Sequence, residues 1–129
     1  MDNIFLKDQK PETLDSFLNY SEAGRDNLGD TIPVAVYRML EYSLKLELKN
    51  RFGKEEQVEI FRNAGRMAGE YFAKTFLNLN QPLDTFVSSL QSTLEKFKIG
   101  ILHIESIDEE TRRIILTVSE DADCSGLPV

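Results

Sequence analysis

The chain has 129 residues, 41% of them apolar and 29% charged, which is the size and balance of one domain with a single core and excludes a disordered polymer. Its 22 acidic and 15 basic side chains leave a net charge of −7, which repels a phosphate backbone and sets nucleic acid aside as a partner. No apolar run reaches bilayer length, Met1-Asp2-Asn3 lacks the basic start of a signal peptide, and the chain reads as cytoplasmic. A single cysteine, Cys124, and a single histidine, His103, rule out an internal disulfide, a zinc site built from cysteines of this chain alone and a histidine-rich metal centre.

In chain order, Asn3 to Lys7 holds Ile4, Phe5 and Leu6 in a short run that reads as an edge strand or a docked arm. Pro11 and Glu12 suit the first turn of a short helix with Leu14, Phe17 and Leu18 facing inward and Gly24 at its end, and Ser21 to Asp30 reads as loop. Asp30 and Thr31 offer capping oxygens to a second helix that has Pro33 in its first turn and runs to about Arg51. Val36, Leu40, Leu44 and Leu48 form its apolar stripe, widened by Tyr37 and Met39, while Glu41, Lys45, Glu47 and Lys49 point to water. Gly53 stands where a left-handed C-terminal cap belongs.

The central helix is expected from Glu55 to Leu79, because Val58, Phe61, Gly65, Ala68, Phe72 and Phe76 recur at three- and four-residue steps. Gly65 and Gly69 each cost about 1 kcal/mol relative to alanine in a helix interior. Two explanations stand: a neighbouring element crosses there at close range, or the missing side chains leave room for a ligand. Pro82 opens a fourth helix, faced by Leu83, Phe86, Val87, Leu90, Leu94 and Phe97 and ended by Gly100.

The apolar period then changes to two. Leu102 and Ile104 alternate with His103 and Glu105, and Ile114, Leu116 and Val118 alternate with Ile115, Thr117 and Ser119, around the polar turn Asp108 to Thr111. An antiparallel hairpin follows, and helices before strands make the class α+β. Two strands alone are marginal in water, so the sheet needs a third strand, a packed layer, a second subunit, the Asn3 to Lys7 segment or strands from a longer parent.

Chemistry-bearing residues are few. Asp121 and Asp123 flank Cys124 and raise its pKa, so nucleophilic catalysis is disfavoured and the thiol reads as idle in a tight turn. With Glu120 or Asp123 it supplies at most half of a tetrahedral zinc site. His103 sits on a strand with no triad partner, Asp108 to Glu110 lacks the pattern of a calcium loop, and the helical Gly65 and Gly69 do not form a phosphate-binding loop. Eight phenylalanines and four tyrosines are equally the lining of a core and of an apolar cavity between helices.

Ile32-Pro33-Val34-Ala35-Val36-Tyr37-Arg38, Ala64-Gly65-Arg66-Met67-Ala68-Gly69, Ile99-Gly100-Ile101-Leu102 and Asp123-Cys124-Ser125-Gly126-Leu127-Pro128 occur in the order and at the distances found in 4-vinyl-reductase domain proteins, which the chain resembles from about Gly29 onward. The resemblance implies one ligand-binding domain over residues 1–129, with four helices packed on a small antiparallel sheet as in the nitric oxide signalling and Golgi transport ligand-binding fold. It also implies hydrocarbon or aromatic binding in a regulatory, dimeric protein, and a zinc ion near the C-terminal part, for which Cys124 is the cysteine this chain offers. In similar proteins the Cys-Ser-Gly-Leu-Pro turn leads into a further helix and strands that residues 1–129 lack. Haem is not expected, since His103 lies on a strand.

The resulting expectation is a sensor or carrier that binds a small hydrophobic molecule between the central helix and the helix before it, lined by Tyr37, Leu40, Phe61, Gly65, Gly69, Phe72 and Phe86, with no catalytic residue. Two alternatives accompany it: a dimeric scaffold subunit without ligand, and an accessory factor or reductase acting on a vinyl-bearing tetrapyrrole.

Overall fold

A computed structural model describes residues 12–18 and 24–128, so the expected strand or arm at Asn3 to Lys7 lies outside the described residues. The chain separates into two compact units, Met1–Ile32 and Pro33–Val129. The first contains α1, Leu14–Leu18. Thr13 and Ser16 bond reciprocally at its start, but Phe17 and Leu18 are exposed, against the inward face expected for them.

The second unit is built from α2 (Val34–Phe76), α3 (Leu83–Lys96), β1 (Ile101–Asp108) and β2 (Arg113–Ser119). The class is α+β, with three helices among the described residues where the sequence led us to expect four. The second and central helices of the sequence reading form one 43-residue element, α2, interrupted by Gly53 at φ 84 and ψ 168. That region of backbone space is open in practice to glycine alone, so the residue stops helical geometry without ending the element. Neither Asp30 nor Thr31 caps α2: Pro33 occupies the cap position with extended geometry and no side-chain bond.

A straight α2 would hold Arg38 and Phe76 about 57 Å apart. Both instead reach one place. Arg38 donates to the carbonyl of Ala122, the Ala122 N–H donates to the carbonyl of Ile99, and two residues earlier the Phe97 ring lies 4.7 Å from that of Phe76. α2 therefore doubles back at Gly53.

α3 ends at Lys96 through a Schellman arrangement. The N–H of Lys98 donates to Glu95 and that of Ile99 to Leu94, with Lys98 left-handed at φ 58. Lys98, not Gly100, is thus the terminating residue. Gly100 serves close approach: a Cβ there would lie 2.7 Å from Val118 Cγ1 and 3.3 Å from the Asp121 Cα.

β1 and β2 pair antiparallel, closed by a turn in which Asp108 accepts the N–H groups of Glu110 and Thr111. Leu102 faces Val118 and Ile104 faces Leu116; the register then slips between Ile104 and Ser106, so that Ile107 faces Ile114. The slip is a bulge on β1, and it returns the odd-numbered Ile107 to the face of Ile104. Leu102, Ile104, Ile107, Ile114, Leu116 and Val118 consequently share one face, while His103 and Thr117 occupy the other. α3 packs on β1 at the Leu102 end, where Gln91 also donates to the Leu102 carbonyl, and Val87 and Leu102 are the buried apolar side chains among the described residues. The other five members of the face remain 38% to 49% exposed.

Candidate functional site

The best-organised polar cluster of the second unit joins the N-terminal half of α2 to the turn after β2. Arg38 donates through Nε to the carbonyl of Ala122 at 2.9 Å and through Nη2 to those of Ser125 at 2.8 Å and Asp121 at 3.4 Å. A planar guanidinium suits three diverging acceptors in a way that an ammonium does not. One turn further along α2, Tyr42 Oη donates to the Asp123 carbonyl at 3.2 Å.

Asp121 organises the turn from within. Its carboxylate accepts the Cys124 N–H at 2.8 Å, the Ser125 hydroxyl at 2.8 Å and the Cys124 thiol at 3.3 Å. These donors, led by the Cys124 amide, hold its pKa down at about 2. The same contact pushes the Cys124 thiol up, with burial and the charges of Asp121 and Asp123 adding to it. The residue is no ready nucleophile.

Glu41 does not point to water as its place on the polar stripe suggests. Its Oε2 is buried with no partner among the described residues, and its pKa is raised by burial first and then by the neighbouring Asp123 carboxyl. The pKa of Tyr37, one turn earlier on α2, is raised by burial and by the Glu41 charge.

Ligand atoms of Asp121, Asp123 and Cys124 lie within 4.8 Å of one another, which places the Cys124 metal expectation in a concrete setting. The trio offers three atoms where structural zinc takes four, and Asp121 is already committed to the turn. It does not make a closed zinc site by itself. His103, the other candidate ligand, is exposed on β1 with Nε2 2.9 Å from Ser119 Oγ.

The expected apolar lining is distributed along two helices. Tyr37 and Leu40 are 45% and 71% exposed on α2, Phe61 is half-buried, and Phe86 is half-buried on α3. Phe72 is drawn into an aromatic group with Phe76 and Phe97, its ring 5.3 Å and 5.9 Å from theirs. Gly65 and Gly69 are exposed, and a Cβ added at either would meet nothing within 4 Å. No neighbouring element of the described residues crosses them. Two open grooves, of about 460 Å³ beside α3 and about 360 Å³ at the start of β1, include none of these seven residues; the larger is lined by Phe76 and polar side chains such as Asn78, Thr85 and Ser88.

Sequence reasoning did not single out Arg38, Glu41, Tyr42 or Asp121 as a cluster. The one available signal was the presence of Arg38 and Asp123 at the ends of two of the resembling segments. No family model, curated protein or solved structure matches the chain. No helix of the described residues is long and apolar enough to cross a membrane.

Proposed function

We propose that the chain is a ligand-binding domain of the 4-vinyl-reductase type that holds a small hydrophobic molecule, a hydrocarbon, an aromatic or a fatty-acid-like chain, as a sensor or carrier without chemistry of its own. The observation that carries the reading is the aligned apolar face of Leu102, Ile104, Ile107, Ile114, Leu116 and Val118, of which only Leu102 is buried. A contiguous apolar surface of this kind belongs to a binding site rather than to a solvated exterior. The open space beside Gly65 and Gly69 supports it further, since two costly glycines with no neighbour among the described residues leave room for a bound molecule.

Three of the four resembling segments meet in the fold. Arg38 ends the first, Ser125 belongs to the last and Ile99 opens the third, and all three are hydrogen-bonded into one junction through Arg38 and Ala122. That junction fixes the hairpin and the turn after it against α2. The cluster is positional: its thiol is held protonated and its arginine is spent on backbone carbonyls.

Thermal unfolding of the purified chain with dodecanoic acid or naphthalene tests the reading. Binding stabilises by about 2.7 kcal/mol at a hundredfold excess over Kd, and Leu116→Glu on the apolar face is expected to abolish that gain while the unliganded protein still unfolds cooperatively. An unfolding temperature that neither probe raises overturns the ligand assignment.

A further inference from the structure

Burial along the first half of α2 is confined to its two attachments. In residues 34–52 every residue except Arg38, Glu41, Tyr42 and Leu48 is exposed, and the apolar Val36, Leu40 and Leu44 are so to 47%, 71% and 49%. Arg38, Glu41 and Tyr42 are the residues that meet the turn after β2. Leu48 stands close to Gly53 in the chain, as does Gln57, which is buried just past it. The second half of α2 is held differently, since Phe72 and Phe76 pack on Phe97 at the end of α3. Among the described residues α3 packs on β1 and β1 pairs with β2, while α2 lies in extended contact with neither α3 nor the hairpin. Little buried apolar surface therefore opposes a movement of residues 34–52.

Both attachments are of kinds that permit such a movement. Gly53 is the residue of α2 whose backbone is not helical, and a hinge needs no more than one or a few residues that absorb a dihedral change between rigid elements. At the other end Arg38 and Tyr42 bond to main-chain carbonyls of Asp121, Ala122, Asp123 and Ser125, and water can replace such bonds at a smaller net cost than it can replace a packed core. We propose that residues 34–52 form a hinged strap, which turns as a rigid helix about Gly53 and is held shut by Arg38 and Tyr42 on the carbonyls of the turn after β2. Freeing those carbonyls releases the whole arm, Tyr37 and Leu40 included, and leaves α3, the hairpin and the second half of α2 assembled. The proposal does not depend on the ligand reading, because it rests on the hinge and the latch and not on the apolar face of the hairpin.

Electron-electron distance measurement on the full chain tests it, with spin labels on Met39→Cys and Met67→Cys in a Cys124→Ser background that keeps a hydroxyl donor beside Asp121. Both methionines are exposed and stand fourteen residues either side of Gly53, so their separation reads the hinge directly. With the latch intact a single narrow distribution is expected, well short of the roughly 42 Å of a straight helix. Arg38→Ala is expected to raise the long-distance population by about tenfold or more, while far-UV helicity and the amide shifts of β1 and β2 stay as they were. Gly53→Ala removes the need for a bend and should shift the distances towards the straight-helix value. A broad distribution with the latch intact, a distribution that Arg38→Ala leaves unchanged, or a loss of helicity and hairpin shifts together with the latch overturns the proposal.

Discussion

Alanine distinguishes glycines that look alike on paper. At Gly100 a methyl group collides with Val118 and presses on the backbone at Asp121, so Gly100→Ala is expected to cost about 1–3 kcal/mol in urea unfolding. At Gly65 and Gly69 the same methyl group meets open space on a helix, and each substitution is expected to add about 1 kcal/mol to the stability of the unliganded chain. Arg38→Ala removes charge-assisted bonds to three carbonyls and should cost about 2 kcal/mol, with Arg38→Lys failing to restore it. The carboxylates of the cluster give opposite pH responses. Asp121 is held at about 2, below its unfolded value, so its contribution is present above the ordinary aspartate range and is lost as pH falls towards 2; amide shifts of Cys124 and Ser125 should report the release, and Asp121→Asn should remove it. Glu41 is raised, so the folded state binds the extra proton and stability declines as pH rises above the ordinary glutamate range, a slope that Glu41→Gln should flatten in unfolding curves taken across pH. Little of this was legible beforehand. Glu41 and Lys45 occupy the same polar stripe, and helical spacing carries no trace of a turn some eighty residues further along the chain.

At the scale of elements, legibility followed the residues whose conformational preferences are strong. Gly53 marked the interruption of the helical stretch, and Pro82 marked the entry to α3. The period change after Gly100 gave both strands and the polar turn between them. What stayed hidden were devices built from ordinary residues. Lys98 ends α3 in a left-handed conformation that lysine rarely adopts, and the β1 bulge that restores Ile107 to the apolar face has no sequence signature. Lys98→Gly relieves the first of these and is expected to raise stability by roughly 0.5–1 kcal/mol in chemical unfolding. Gly53→Ala works the other way, forcing a side chain into glycine-only backbone space at the point where α2 doubles back, and should cost about 1–3 kcal/mol.

For the whole molecule, the apolar side chains seen in the sequence did form faces, but the second unit leaves most of them uncovered. Pattern predicts which residues share a face; it does not reveal whether a layer exists to close it. That is why Val58, Phe76, Ile104 and Leu116, ordinary core positions by spacing, are exposed in the fold. The ligand proposal addresses the apolar face of the hairpin. Native mass spectrometry of the chain purified without denaturant tests the ligand claim most directly: the account predicts a mass excess that extraction with organic solvent removes and that dodecanoic acid or naphthalene restores. A bare polypeptide mass before and after extraction, unchanged by either compound, contradicts it.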